Sequence, residues 1–172
     1  MKFLTKQECI KWCESFGIPL DSKGFPDDKS DFGKSFRCDH PKEPYRIFNL
    51  AQRIESATQF QDERVLWVTE TTIWPSSENS HLYYRLKESY GHSQHIVDTP
   101  GHLFLKQESN DVISFLQLTM LFGWDAYLFS EHNYVRVFCS HDEWVNVFAN
   151  DIGTLEDISK SFLDSKFSVP AA

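Results

Sequence analysis

The segment from residue 125 to 149 constrains this chain more than any other. It sets three β-rich runs in immediate succession, Asp125–Phe129, Tyr134–Cys139 and Glu143–Ala149. The breaks at His132-Asn133 and at Ser140 to Asp142 are short enough for hairpins. A three-residue turn at Ser140 to Asp142 puts Phe138 opposite Trp144, Val137 opposite Val145 and Arg136 opposite Asn146. One face of that hairpin is then aliphatic (Val135, Val137, Val145, Val147) and the other aromatic with two polar residues. An antiparallel meander is therefore predicted, and the rest of the chain has to pack on it.

Upstream, helical and extended patterns alternate. Thr5 and Glu8 form a capping box, in which the Thr hydroxyl and the Glu carboxylate satisfy orphan amides of the first turn. Cys9, Trp12, Cys13 and Phe16 follow on one helical face, and Gly17 supplies the left-handed stop. From Ile18 to Ser35 the chain is rich in Gly, Pro, Asp and Ser, a loop whose length implies either function or disorder. A second helix is expected after Pro44, with Ile47, Phe48, Ala51 and Ile54 inward. Val65–Val68 reads as a strand buried on both faces. A helix is expected from Asn79 to Tyr90, closed by Gly91, and a short strand from His102 to Leu105. Asn110 is the expected cap of the most apolar helix, Asp111–Phe122, which belongs at the centre of the fold or against a second copy of the chain. Thr154 is the expected cap of a last helix ending near Leu163, with the remainder frayed.

These elements predict one domain over residues 1–163 and an α/β (α+β) class: a mixed sheet of four to six strands, a C-terminal meander and about five flanking helices. The length of 172 residues suits a single domain. Aromatic residues make up 15% of the chain, enough for a substantial core.

Charge and cysteine usage narrow the partners. Twenty-five acidic against seventeen basic residues give a net charge of −8. There is no basic stripe to displace counterions from phosphates, so nucleic acid and anionic membranes are not expected partners. A basic protein partner is electrostatically allowed, and a homodimer is compatible with the apolar helix. The N-terminal segment carries Lys6 and Glu8 where a secretion signal needs an apolar core. The longest uncharged stretch, Val112–Trp124, is too short to span a bilayer. Four cysteines in a chain of this size do not make a disulfide framework, so a reduced, cytoplasmic protein is expected.

Several motifs invite a chemical reading. Asp98-Thr99-Pro100-Gly101-His102 shares its letters with the segment that approaches the γ-phosphate in translational GTPases. That segment needs a P-loop, and the nearest candidate, Gly24 to Ser30, lacks the second Gly. A Pro-Gly turn entering a strand is the expected role. Cys9, Cys13, Cys38 and His40 add up to four zinc ligands, yet the first pair shares its helix face with Trp12 and Phe16, so core packing is expected and no metal or cofactor is implied. His92 and His95 fall in a polar loop. Ser140-His141-Asp142 holds the letters of a triad, which contiguous residues cannot build.

Two constellations remain. If the strand at Leu103 runs parallel to Asp125–Phe129, His102 joins Asp125, His141 and Asp142 at one sheet end, a candidate acid–base cluster. At the end of the Val65 strand, Glu70, Thr71, Thr72 and Trp74 precede Tyr83, Tyr84 and Arg85. Trp74, Tyr83, Tyr84 and Arg85 are candidate binding residues on an aromatic surface. In type, a small acidic domain without a catalytic signature is similar to bacterial immunity proteins that neutralise basic toxins. That likeness implies a non-catalytic interaction domain with a protein partner. The alternative is a small hydrolase or metal-dependent enzyme built on the His102, Asp125, His141, Asp142 cluster.

Overall fold

The computed structural model describes residues 1–27, 34–58, 63–71, 80–131 and 135–169. In chain order these form β1 (Lys2–Leu4), α1 (Lys6–Ser15), β2 (Lys34–Asp39), α2 (Pro44–Thr58), β3 (Glu63–Glu70), α3 (Ser80–Ser89), β4 (Gly101–Leu105), α4 (Ser109–Leu121), β5 (Asp125–Ser130), β6 (Val135–Ser140), β7 (Trp144–Ala149) and α5 (Ile152–Asp164). The strands make one seven-stranded sheet in the order β1-β4-β3-β5-β6-β7-β2, and every registered pair is antiparallel. The α+β class, the meander and the five helices stand as expected, but the expected mixed sheet is antiparallel in every registered pair, because β3 separates the like-directed β4 and β5. The strand count exceeds four to six because β1 and β2, which carry little strand patterning, add themselves to the two rims.

Side-chain alternation sorts the core into two layers. Leu66 and Val68 of β3, Ala126 and Leu128 of β5, and Val137, Val145 and Val147 of the meander pack with Leu50 and Ile54 of α2, Tyr83 of α3, Phe115 and Leu116 of α4, and Phe162 of α5. On the opposite face Val65, Trp67, Tyr127 and Phe129 meet Cys9 and Cys13 of α1. The apolar α4 thus spends its hydrophobic surface inside the chain, between the sheet and α2, and leaves Leu121 as its exposed large residue.

The last hairpin keeps its predicted faces but not its predicted register. Phe138 pairs with Asn146 and Val137 with Val147, two residues on from the expected partners. The turn is His141-Asp142-Glu143, with Glu143 in the left-handed region at φ 63°, a three-residue loop closed by a residue with φ > 0. A shift of two preserves which side chains share a face, whereas a shift of one would have exchanged them.

The ends of α1 follow the sequence: the Thr5–Glu8 capping box is present and Gly17 has φ 67°. Other details differ. The cap of α5 is Asp151, whose carboxylate accepts from the Thr154 amide at 2.8 Å. Asn110 lies inside α4, whose cap residue Glu108 makes no side-chain cap bond. Phe48 is exposed, because the inward stripe of α2 runs through Leu50, Ala51 and Ile54. Beyond α5, where fraying is expected, Phe167 is buried and the Arg46 guanidinium donates to the Lys166 carbonyl at 2.7 Å. Among the described residues no helix is long and apolar enough to cross a membrane.

Candidate functional site

The candidate site lies at the end of the sheet where β3 finishes and β5 begins. A register shift between Val68 and Glu70 bulges β3 there and sets Glu70 opposite Asp125. The Thr69 hydroxyl donates to the Asp125 carbonyl at 3.2 Å and holds the bulge. Residues 18–27 of the expected 18–35 loop, whose last two residues already belong to β2, form the facing wall. An isolated bridge joins Leu20 to Pro26. The Asp21 carboxylate accepts from the amides of Lys23 and Phe25 at 2.8 and 2.9 Å, and the Phe25 amide in particular holds that carboxyl below the ordinary range. Gly24 takes φ 72°, where a side chain would be strained. At the far end the Arg136 guanidinium donates to the Asp27 carbonyl at 3.1 Å.

Between loop and sheet lies a cleft of about 490 Å³ lined by the acidic residues Asp21, Asp27, Glu70 and Asp125 and the aromatic residues Phe25, Tyr127 and Phe138. Tyr127 and Phe138 lie 4.7 Å apart, and Phe138 continues to Trp144 at 5.5 Å. Rings on this face already carry the chain's own cations: the Lys6 ammonium sits 3.7 Å from the Phe25 centroid and the Arg37 guanidinium 4.6 Å from that of Trp144. Acidic groups over aromatic walls are the chemistry that takes an ammonium or guanidinium group.

Asp125 also reaches the β6–β7 turn. One of its carboxylate oxygens accepts from the His141 amide and faces His141 Nδ1, both at 2.8 Å. His141 Nε2 lies 3.4 Å from an Asp142 oxygen. The Asp125 bond, joined by the charges of Asp142 and Glu70, raises the imidazole pKa above its ordinary value. The sequence expectation that these three residues meet is met in space.

His102 does not join them. β3 lies between β4 and β5, so β4 and β5 point the same way without touching, and the Leu66 register sets His102 level with Leu128. Its side chain enters the helical layer, fully buried, with Nδ1 on the Leu66 carbonyl at 3.1 Å and Nε2 on the Tyr83 hydroxyl at 2.9 Å. Burial pushes its pKa down to about 3. Tyr83 is therefore a core residue and offers no surface. Tyr84 is half-buried and Arg85 exposed, while Trp74 and Thr72 lie outside the described residues.

The other motifs resolve into structure. Thr99 of the Asp98–His102 segment accepts from the buried Lys87 ammonium at 2.7 Å and donates to the His95 carbonyl. Burial pushes Lys87 down to about 8. Gly101 then opens β4 as the turn predicts. His92 stacks on Phe3 at 4.5 Å, and His95 leans on Tyr84 instead. Cys9 and Cys13 pack under α1, Cys38 packs on the opposite face of the sheet, and His40 lies beyond β2, so the four do not converge. Among the described residues no group of three or more His, Cys, Asp or Glu is placed to hold a metal ion. A second cleft of about 480 Å³ between α2 and α5 is lined by Phe162, Val135 and hydroxyl side chains.

Reading the sequence alone missed Asp21, Phe25 and Asp27. The available signal was an Asp-rich loop of unusual length beside a hairpin with one aromatic face. Comparison of the chain with family models, curated proteins and solved structures finds no match.

Proposed function

We propose that this chain is a small, non-catalytic, cytosolic interaction domain, similar in role to immunity proteins, whose acidic cleft receives a basic protein. The observation that carries the reading is the lining of the cleft: four acidic and three aromatic residues, with no Lys or Arg among the described lining residues and the Lys6 ammonium lying over the Phe25 ring. The net charge of −8 would draw a basic partner towards it from a distance. The Tyr127 and Phe138 rings give such a partner's long basic side chains an apolar surface to lie on.

The second reading, a small hydrolase or metal-dependent enzyme, rests on the Asp125–His141 pair. It draws less support, because His102 sits in the other layer and both His141 ring nitrogens already face carboxylates.

A fluorescently labelled oligo-arginine peptide tests the first reading by anisotropy. Glu70→Lys should weaken binding about tenfold at physiological salt, since it reverses a charge at the contact itself. Glu156→Lys makes the same charge change on exposed α5, in the opposite layer, and should leave affinity nearly unchanged. Equal weakening by both variants, or no saturable binding, would sink the reading.

A further inference from the structure

Asp125 belongs to two environments at once. It lines the cleft, and the same carboxylate holds His141 in the neighbouring turn. The groups around that imidazole can be named element by element. β5 contributes Asp125, the end of β3 contributes Glu70, and the turn itself contributes Asp142 and Glu143. The end of α4 contributes only Met120, Leu121, Phe122 and Gly123 to the hollow beside His141. No Lys or Arg is among the described residues lining either hollow. A partly exposed imidazole is thus flanked by acidic residues of the cleft and of its rim.

We propose that His141 makes the cleft proton-sensitive: with the imidazole neutral the cleft presents its full negative charge to a cationic partner, and with the imidazolium formed part of that charge is cancelled and the partner binds more weakly. This rests on the acidic cleft being the binding site. The sign follows from linkage. A cation in the cleft and a proton on His141 compete for the same carboxylates, so each lowers the affinity for the other by one common factor. The bond from Asp125 and the neighbouring acidic charges favour the protonated ring, which moves its titration upward from that of a free imidazole. Both sites lie within a Debye length of one another through Asp125 itself, so screening by physiological salt does not uncouple them.

The test measures the affinity of the labelled oligo-arginine peptide from about pH 5.5 to about 8.5, above the titration of ordinary carboxylates. Wild type should bind more tightly as pH rises, by about fivefold or more across the range, and His141→Gln should bind with a flat profile. An NMR titration of the His141 ring in the wild type, with and without the peptide, gives a readout that needs no variant: the ring pKa should fall when the peptide is bound. A flat wild-type profile, a slope retained in His141→Gln, or a ring pKa indifferent to the peptide would each overturn the proposal while leaving the cleft reading intact. Absence of peptide binding at every pH would overturn both.

Discussion

The Glu55 carboxylate and the Arg64 guanidinium meet at 2.8 Å with side chains 6% and 0% exposed, tying α2 to β3 inside the core. The same guanidinium reaches towards the Leu105 and Lys106 carbonyls at the end of β4. Removing one partner leaves a buried charge with its counter-ion gone. Glu55→Ala should therefore lower stability by about 3–5 kcal/mol, while replacing both residues by apolar ones of similar volume should cost much less. Urea denaturation of the single and double variants distinguishes this from a merely additive loss.

Gly101 sits where a Cβ would come within 2.2 Å of Cys9 Sγ and 2.9 Å of Leu4 Cβ. Gly101→Ala should destabilise by about 1–3 kcal/mol through overpacking. Cys9→Ala in the same background should return part of that loss, because it removes the closer of the two obstacles. Additivity of the two substitutions in a denaturation cycle would contradict the packing of α1 on β4.

Two histidines, His102 buried and His40 half-buried, make the fold acid-sensitive. Burial holds His102 at about 3 and His40 at about 4. The unfolded chain takes up these protons first, near the ordinary imidazole value of about 6.5. Their contribution to stability is thus fully present above that pH and declines as the pH falls towards the folded-state values. Denaturation midpoints measured down this range should fall, and His40→Gln should reduce the slope. A midpoint constant between about pH 6.5 and 4 would place both rings in water.

All four thiols are buried and free. Burial raises Cys13, Cys38 and Cys139 to about 12, and Cys9 also upward. The native protein should react with a thiol-specific disulfide reagent only at the rate at which it unfolds, and all four should react together in denaturant. A fast-reacting fraction in the native state would put at least one thiol at the surface.

What could be read in the sequence was whatever depends on near neighbours. The Thr5–Glu8 box, the stop at Gly17 and the three strands of the meander are local patterns. Even the two-residue error in the last hairpin was harmless, since Val137 and Val145 stay on one face either way. The meeting of Asp125 with the 140–142 turn was legible for the same reason, because one hairpin brings them together. The position of His102 depends on strand order, a long-range property, and the insertion of β3 between β4 and β5 leaves no mark on the residues of β4. Nothing local marks Tyr83 as a core residue, because its hydrogen bond to His102 lies across the fold. Asp21 and Asp27 acquire a role only when the loop folds back over the sheet.

The two rims of the sheet are recruited from far along the chain. Leu4 pairs with Gly101 and Phe36 with Val147, so each rim strand closes a loop of about a hundred residues, against a handful for each hairpin of the meander. Contacts that distant are slow to form, and the strands that make them are held by one neighbour only. Assembly should run outward from β5, β6 and β7, with β1 and β2 docking late. In the finished protein the same two strands should be the first to open, and their backbone amides should exchange with deuterium ahead of those at the centre.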